Sequence, residues 1–198
     1  MKIIVGLGNP GGEYAGTRHN VGFAAAERFA ETHAFGAWRG KFHSLASEGR
    51  FAGLPVLLLK PQTYMNESGR AVRAAAEWCR AEPGDIMIVL DDFHLAVGRL
   101  RVRGEGRAAG HHGLESVVAH LSTEAVPRLR IGIGGEADAR YGRNYVLSRF
   151  STAERPLVEA AVRHAAGALE VWLKFGLERC QNEFNSDPAA TNREEADA

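Results

Sequence analysis

The stretch Lys2–Phe23, K-I-I-V-G-L-G-N-P-G-G-E-Y-A-G-T-R-H-N-V-G-F, constrains the fold more than any other part of the chain. Ile3-Ile4-Val5 is a β-branched run of the kind that forms a strand buried on both faces. It gives way to Gly6-Leu7-Gly8-Asn9-Pro10-Gly11-Gly12, too rich in glycine and proline for regular structure. Thr17 then stands as a candidate N-cap before an apolar-periodic segment. A buried strand that turns into a helix is the start of an α/β sheet, and ligands of such sheets bind beyond the carboxyl ends of the strands. The amides, the histidine and the glycines of this stretch lie at that edge.

Gly6-x-Gly8-x-x-Gly11 also matches the dinucleotide-binding fingerprint. Two features argue against that reading. Pro10 removes an N–H where a pyrophosphate needs backbone donors. The helix also fails to open at the third glycine, and no acidic residue ends a second strand at the required distance.

The 198 residues fit one domain, and a 45% hydrophobic content supplies a sizeable core. No signal-peptide pattern or long apolar run is present, so the expectation is a soluble, cytoplasmic protein. Cys79 and Cys180 lack metal-type spacing and read as free, half-buried thiols. Formal net charge is zero, but its distribution is uneven. Residues 185–198 carry four acids and one arginine and read as a disordered acidic tail. The body, residues 1–184, is therefore mildly basic.

Periodicity assigns the remaining elements. A helix follows Thr17 and ends near Gly36, with His33 on its surface at the dipole's negative end. A hairpin pairs Phe42–Phe51 with Val56–Leu59 through a Gly53-Leu54-Pro55 turn. A helix starts near Glu67 and stops at Glu82-Pro83-Gly84. Ile86–Leu90 is a buried strand ending in Asp91-Asp92. Gly98–Arg103 alternates with period two, arginines on one face and aliphatics on the other. A helix over Leu114–Leu121, a strand over Arg128–Ile133 and a loop over Gly134–Asn144 follow. Ser151-x-x-Glu154 is a capping box that opens a helical region reaching Phe184, divided at Gly176. The order is mixed α/β around one sheet.

Three strand ends carry Asn9, Asn66 and Asp91, and His19 lies just past the first. Parallel neighbouring strands would bring these groups to one edge. A histidine oriented by an aspartate is a general base near neutral pH, and two carboxamides can hold a carbonyl or an oxyanion. Asn and Asp also form ordinary turns, so residue type alone leaves both roles open. Asp91, Asp92, His94, His111 and His112 mix ligand types that suit a divalent ion, but their spacing matches no metal motif. His120 and His164 read as ordinary helix histidines. Arg99, Arg101 and Arg103, continued by Arg107, Arg128 and Arg130, form a basic stripe that can track phosphates or simply solvate an edge strand.

Taken together, G-L-G-N-P-G-x-x-Y-x-x-T-R-H-N-x-G, P-Q-T-Y-M-N-x-S-G, the paired aspartates, G-H-x-G-L and R-L-R-I-G-I-G resemble the bacterial peptidyl-tRNA hydrolase family over residues 1–184. The resemblance implies a single α/β domain with a central mixed, mostly parallel sheet flanked by helices. It implies hydrolysis of the ester joining a peptide to the 3′ ribose of tRNA, which recycles tRNA from stalled translation. No metal or organic cofactor is implied. His19 would be the general base and Asp91 would orient it. Asn9 and Asn66, with Tyr14 and Tyr64 from the same motifs, would bind substrate, and Arg103 and Arg130 would hold tRNA phosphate. The implied partner is the acceptor stem and 3′ end of peptidyl-tRNA. No membrane and no obligate protein partner are implied, and the protein is expected to be a monomer.

Two positions depart from the family pattern. His112 stands where an asparagine is usual and is assigned here the role of holding the hydrolytic water, since imidazole both donates and accepts. His94 replaces an acid in the segment after Asp91. The alternative to the enzyme is a non-catalytic RNA-binding protein on the same fold.

Overall fold

The computed structural model describes residues 1–134 and 142–185. In chain order the elements are β1 (Lys2–Gly6), α1 (Val21–Thr32), β2 (Arg39–Lys41), β3 (Ser44–Phe51), β4 (Leu54–Pro61) and α2 (Ser68–Cys79). They continue with β5 (Ile86–Asp92), β6 (Leu100–Arg103), α3 (His112–Leu121), β7 (Arg128–Gly132), α4 (Gly142–Val146), α5 (Arg155–Phe175) and α6 (Leu177–Phe184). The described strands form one sheet in the order β2-β3-β4-β1-β5-β7-β6. The central four, β4, β1, β5 and β7, are parallel. The edges are antiparallel, β2 and β3 on one side and β6 on the other. This is the expected α/β domain with a mixed, mostly parallel sheet.

The buried runs of β1 and β5 serve both faces by alternation. Ile4, Met87, Val89 and Leu129 join Phe29 of α1 and Leu169 and Trp172 of α5 in one core. Ile3, Val5, Ile88 and Leu90 join Val72 of α2 and Val117 of α3 in the other. Each such side chain contributes about 1.5–3 kcal/mol on burial. The two layers fix where the carboxyl ends of β1, β4 and β5 come to lie.

Glycine sets how closely α1 approaches the sheet. A Cβ on Gly22 would lie 2.4 Å from the Val89 carbonyl oxygen and 2.7 Å from the Leu7 nitrogen. A Cβ on Gly6 would lie 2.2 Å from the Gly22 carbonyl oxygen. These two glycines therefore serve helix–strand packing, which brings the segment before α1 onto the strand ends.

Several local expectations are corrected. Thr17 does not cap α1: its hydroxyl donates to the Tyr14 carbonyl at 2.8 Å, and a 3-10 turn over Arg18–Asn20 precedes the helix. The helix ends at Thr32, before Gly36. His33 is not a free surface residue, because its Nε2 lies 3.0 Å from Glu170 and its ring packs on Phe29 and Phe51. Arg39-Gly40-Lys41 forms an extra edge strand. The loop predicted over Gly134–Asn144 gives way to α4 at Gly142, and residues 135–141 lie outside the described residues.

The helical region after Ser151 divides at Gly176, where φ is 86°. The capping-box pair is formed: Ser151 N–H donates to Glu154 at 2.8 Å and Glu154 N–H donates to the Ser151 hydroxyl at 3.3 Å. Asn185 closes the outer edge of β6, accepting from Val102 N–H at 2.7 Å and donating to its carbonyl at 3.0 Å. The rest of the acidic tail, residues 186–198, lies outside the described residues. Both cysteines are free. Cys180 is fully buried, and burial, with Glu183 nearby, pushes its thiol up to about 12.

Arg128 does not belong to the basic stripe. It is 2% exposed, and its guanidinium donates to the carbonyls of Val126, Gly106 and Glu124. Burial lowers its pKa, with Arg130 adding to the effect. Arg128 holds the loop before α3 against β7, whereas Arg101 and Arg103 are exposed on β6.

Candidate active site

A cavity of about 1030 Å³ opens at the carboxyl edge of the parallel strands. Asn9, Tyr14, His19, Tyr64, Asn66, Asp91, His112 and Arg130 all line it. Of the residues expected to act, only Arg103 lies outside its lining, on the edge strand.

Its floor is built by β5. Asp91 and Asp92 are still within the strand, so their side chains leave on opposite faces. Asp91 is buried and accepts from His19 Nδ1 at 2.7 Å and from His111 Nε2 at 3.0 Å, both on Oδ1. His111 Nδ1 is already occupied, accepting from Leu114 N–H at 3.2 Å as it caps α3. Its Nε2 therefore carries the proton given to Asp91. His19 likewise gives its Nδ1 proton, which leaves Nε2 as an acceptor toward the cavity. Burial alone would raise the Asp91 pKa; the charges and hydrogen bonds of His111 and His19 outweigh it, holding the carboxyl well below the usual carboxylate range.

Asp92 faces the other way. Its Oδ1 accepts from His94 N–H at 2.9 Å, and its Oδ2 lies 3.0 Å from Arg130 Nε. That last contact is an ion pair, and among the described residues Arg130 Nε has no hydrogen-bond partner. The five-residue divalent-ion set is thus dispersed. His112 pairs with Glu115, and Asp92 is committed to Arg130 and His94. A different trio, His19, Asp91 and His111, brings one ligand-type atom each within 4.8 Å. Asp91 Oδ1 serves both rings there, so a hydrogen-bonded triad accounts for the grouping.

The carboxamides are fixed from behind. Asn20 Oδ1 accepts from Asn9 N–H at 2.8 Å and Asn20 Nδ2 donates to the Asn9 carbonyl at 3.0 Å. Asn9 Oδ1 accepts from Met65 N–H at 2.9 Å, tying the end of β1 to the turn after β4. The Asn9 Nδ2 donors remain for the cavity. Asn66, next to Met65, is exposed on the rim.

The His19 segment is clamped by Arg18, a residue to which the sequence reading gave no role. Its guanidinium makes two bonds to Glu154, at 2.9 and 2.8 Å, and one to the Ile133 carbonyl at 3.0 Å. It also stacks over Tyr145 and Phe150. Asn20 was missed as well. Both flank His19 in Thr17-Arg18-His19-Asn20, so a block of polar residues entering a helix was the signal available.

A family model described as peptidyl-tRNA hydrolase matches residues 3–194. A curated peptidyl-tRNA hydrolase of Brevibacillus brevis is 41% identical over 186 residues, covering 94% of this chain and 98% of the relative. One of Desulfitobacterium hafniense is 44% identical over 185 residues, covering 93% of this chain and all of the relative. The crystal structure of peptidyl-tRNA hydrolase from Acinetobacter baumannii matches with a TM-score of 0.88 at 34% identity, covering 94% of this chain and 95% of that one.

Proposed function

The chain belongs to the peptidyl-tRNA hydrolase family, and from that membership we infer that it cleaves the ester between a peptide and the 3′ ribose of tRNA. The observation that carries the mechanism is the 2.7 Å bond between His19 Nδ1 and buried Asp91, which aims His19 Nε2 at the cavity. Nε2 takes a proton from water as its oxygen attacks the ester carbonyl. The tetrahedral adduct collapses, the carbonyl–O3′ bond breaks, and the same proton passes to the departing ribose oxygen. An alkoxide of that kind needs less help in leaving than an amine, so one base suffices. The free Nδ2 donors of Asn9, with Asn66 on the rim, stabilise the oxyanion and position the peptide ester. Tyr14 and Tyr64 bound the cavity where the 3′ end enters. His112, which also lines the cavity, holds the attacking water.

Arg130 at the cavity and Arg103 on β6 take tRNA phosphate, leading the acceptor stem away along the sheet edge. The reading includes action as a monomer in the cytoplasm. Among the described residues no helix is long and apolar enough to cross a membrane. The non-catalytic RNA-binding alternative is not favoured, since such a protein would have no use for a buried aspartate orienting a histidine beside free amide donors.

Release of peptide from an N-blocked aminoacyl-tRNA tests the reading. His19→Ala should lower kcat by about 10²–10⁴-fold, the usual worth of a positioned general base. Its tRNA Kd should stay unchanged, because no phosphate contact is removed. Binding of tRNA by the parent without release of peptide would overturn the assignment.

A further inference from the structure

We infer that Glu115 is a positioning residue for the hydrolysis: from outside the cavity it forms a second histidine–carboxylate couple with His112, which lines the same cavity as His19 and Asp91. The inference rests on the hydrolase reading and assigns a role to a side chain outside it.

His112 is the first residue of α3, and Glu115 follows three positions later, which places the two side chains on one face of the helix. His112 Nδ1 lies 3.0 Å from Glu115 Oε2. The His112 side chain is 74% exposed at the cavity wall, so packing does not fix its ring; the bond to Glu115 does. A carboxylate accepts only, so this bond places the neutral ring's proton on Nδ1 and leaves Nε2 as an acceptor. His19 reaches the same tautomer through Asp91.

A water held between two Nε2 acceptors has both protons committed, which turns an oxygen lone pair toward the ester carbonyl. His19 Nε2 takes one proton in the reaction. His112 Nε2 holds the other O–H, which stays on the attacking oxygen and leaves in the carboxylic acid product. Without Glu115 the exposed ring can flip or change tautomer, and half of those arrangements present N–H to the water. The bond thus affects how often the water is aligned, which is a kcat effect.

Two ordinary roles compete for Glu115. An acid in the first turn of α3 favours the helix dipole, and its charge repels the tRNA polyanion. Neither depends on His112. An asparagine in place of His112 offers a carboxamide oxygen to the water with no tautomer to fix, so it uncouples the two.

The experiment measures kcat and KM for hydrolysis of an N-blocked aminoacyl-tRNA by the parent, Glu115→Ala, Glu115→Gln, His112→Asn and His112→Asn/Glu115→Ala. Alanine is a strong helix former, so the exposed substitution keeps α3. Glu115→Ala should lower kcat about fivefold at unchanged KM, in line with an exposed charge-assisted hydrogen bond. Glu115→Gln keeps an accepting oxygen and should recover most of that loss. In the His112→Asn background, Glu115→Ala should change kcat by less than about twofold. Equal losses in both backgrounds, or no recovery with glutamine, would assign Glu115 to the helix or to charge alone and overturn the couple. An active parent indifferent to Glu115→Ala would do the same. A parent that hydrolyses nothing would remove the hydrolase reading, and the couple with it.

Discussion

Asp91 serves two imidazoles with one oxygen atom, and this makes the geometry of the base depend on α3. The chain of bonds runs from Leu114 N–H to His111, from His111 to Asp91, and from Asp91 to His19. Asp91→Asn keeps the volume but removes the charge that stabilises an imidazolium on His19. Its kcat should fall by about 100-fold or more at an unchanged circular dichroism spectrum, the scale of an electrostatic catalytic contribution. A loss under about threefold would mean that the carboxylate does not support the base. His19, Asp91, Asn9 and Asn66 were legible because adjacent parallel strands bring their carboxyl ends together whatever their sequence separation. His111 stood with Asp91 in the divalent-ion set, but spacing alone could not separate that pair from Asp92, His94 and His112. Adjacent strand residues point to opposite faces, so Asp91 takes His111 and His19 while Asp92 takes Arg130. The partners of Arg18 and Asn9 lie 136 and 56 positions away, beyond the reach of any local pattern.

The elements that carry the site are held by short-range steric fit on one side and by a long-range clamp on the other. Gly6 and Gly22 seat α1 against β1 and β5, whereas in sequence Gly6 reads as part of a dinucleotide-like fingerprint. Buried strands and long helices were legible from apolar periodicity. Arg39-Gly40-Lys41 was not, because an edge strand paired on one side needs no apolar face. The clamp is Arg18–Glu154, which ties the residue before His19 to the turn before α5. The hydrogen bonds from Arg18, with those from Ser151, outweigh burial and pull the Glu154 carboxyl from 4.5 down to about 2. A carboxylate with a lowered folded-state pKa contributes stability in full above its unfolded value, near pH 4.5, and loses it as pH falls through about 2. Glu154→Gln should therefore be less stable than the parent at pH 7 by about 1 kcal/mol, after allowance for solvent reaching the pair. Urea unfolding should show the gap narrowing between pH 4.5 and pH 2. A gap independent of pH would mean that the carboxylate charge plays no part in the clamp.

At the scale of the molecule, zero net charge conceals an uneven distribution of charge. Four acids and one arginine lie in residues 186–198, which leaves 23 basic against 20 acidic residues in the rest. Sheet register orders part of that excess. Arg101 pairs directly with Arg130, and Arg103 with Arg128, while Val102 and Leu129 between them point into the α1/α5 core. The four arginines therefore share the α2/α3 face. Arg128 is buried, so the remaining path runs from the partly buried Arg130 at the cavity to the exposed Arg101 and Arg103 at the edge. A phosphate contact of this kind releases about one condensed counterion, so losing it lowers the slope of log Kd against log salt by about one. Arg103→Ala should weaken tRNA binding by about three- to tenfold at low salt and less at high salt. Its kcat at saturating substrate should match the parent, because the cavity lining is untouched. Kd titrations over a range of salt concentrations separate this from a folding defect, which would lower the active fraction without changing the slope. A parent-like slope would place the acceptor-stem contact away from β6, and a lowered kcat would tie Arg103 to the chemistry rather than to the polyanion.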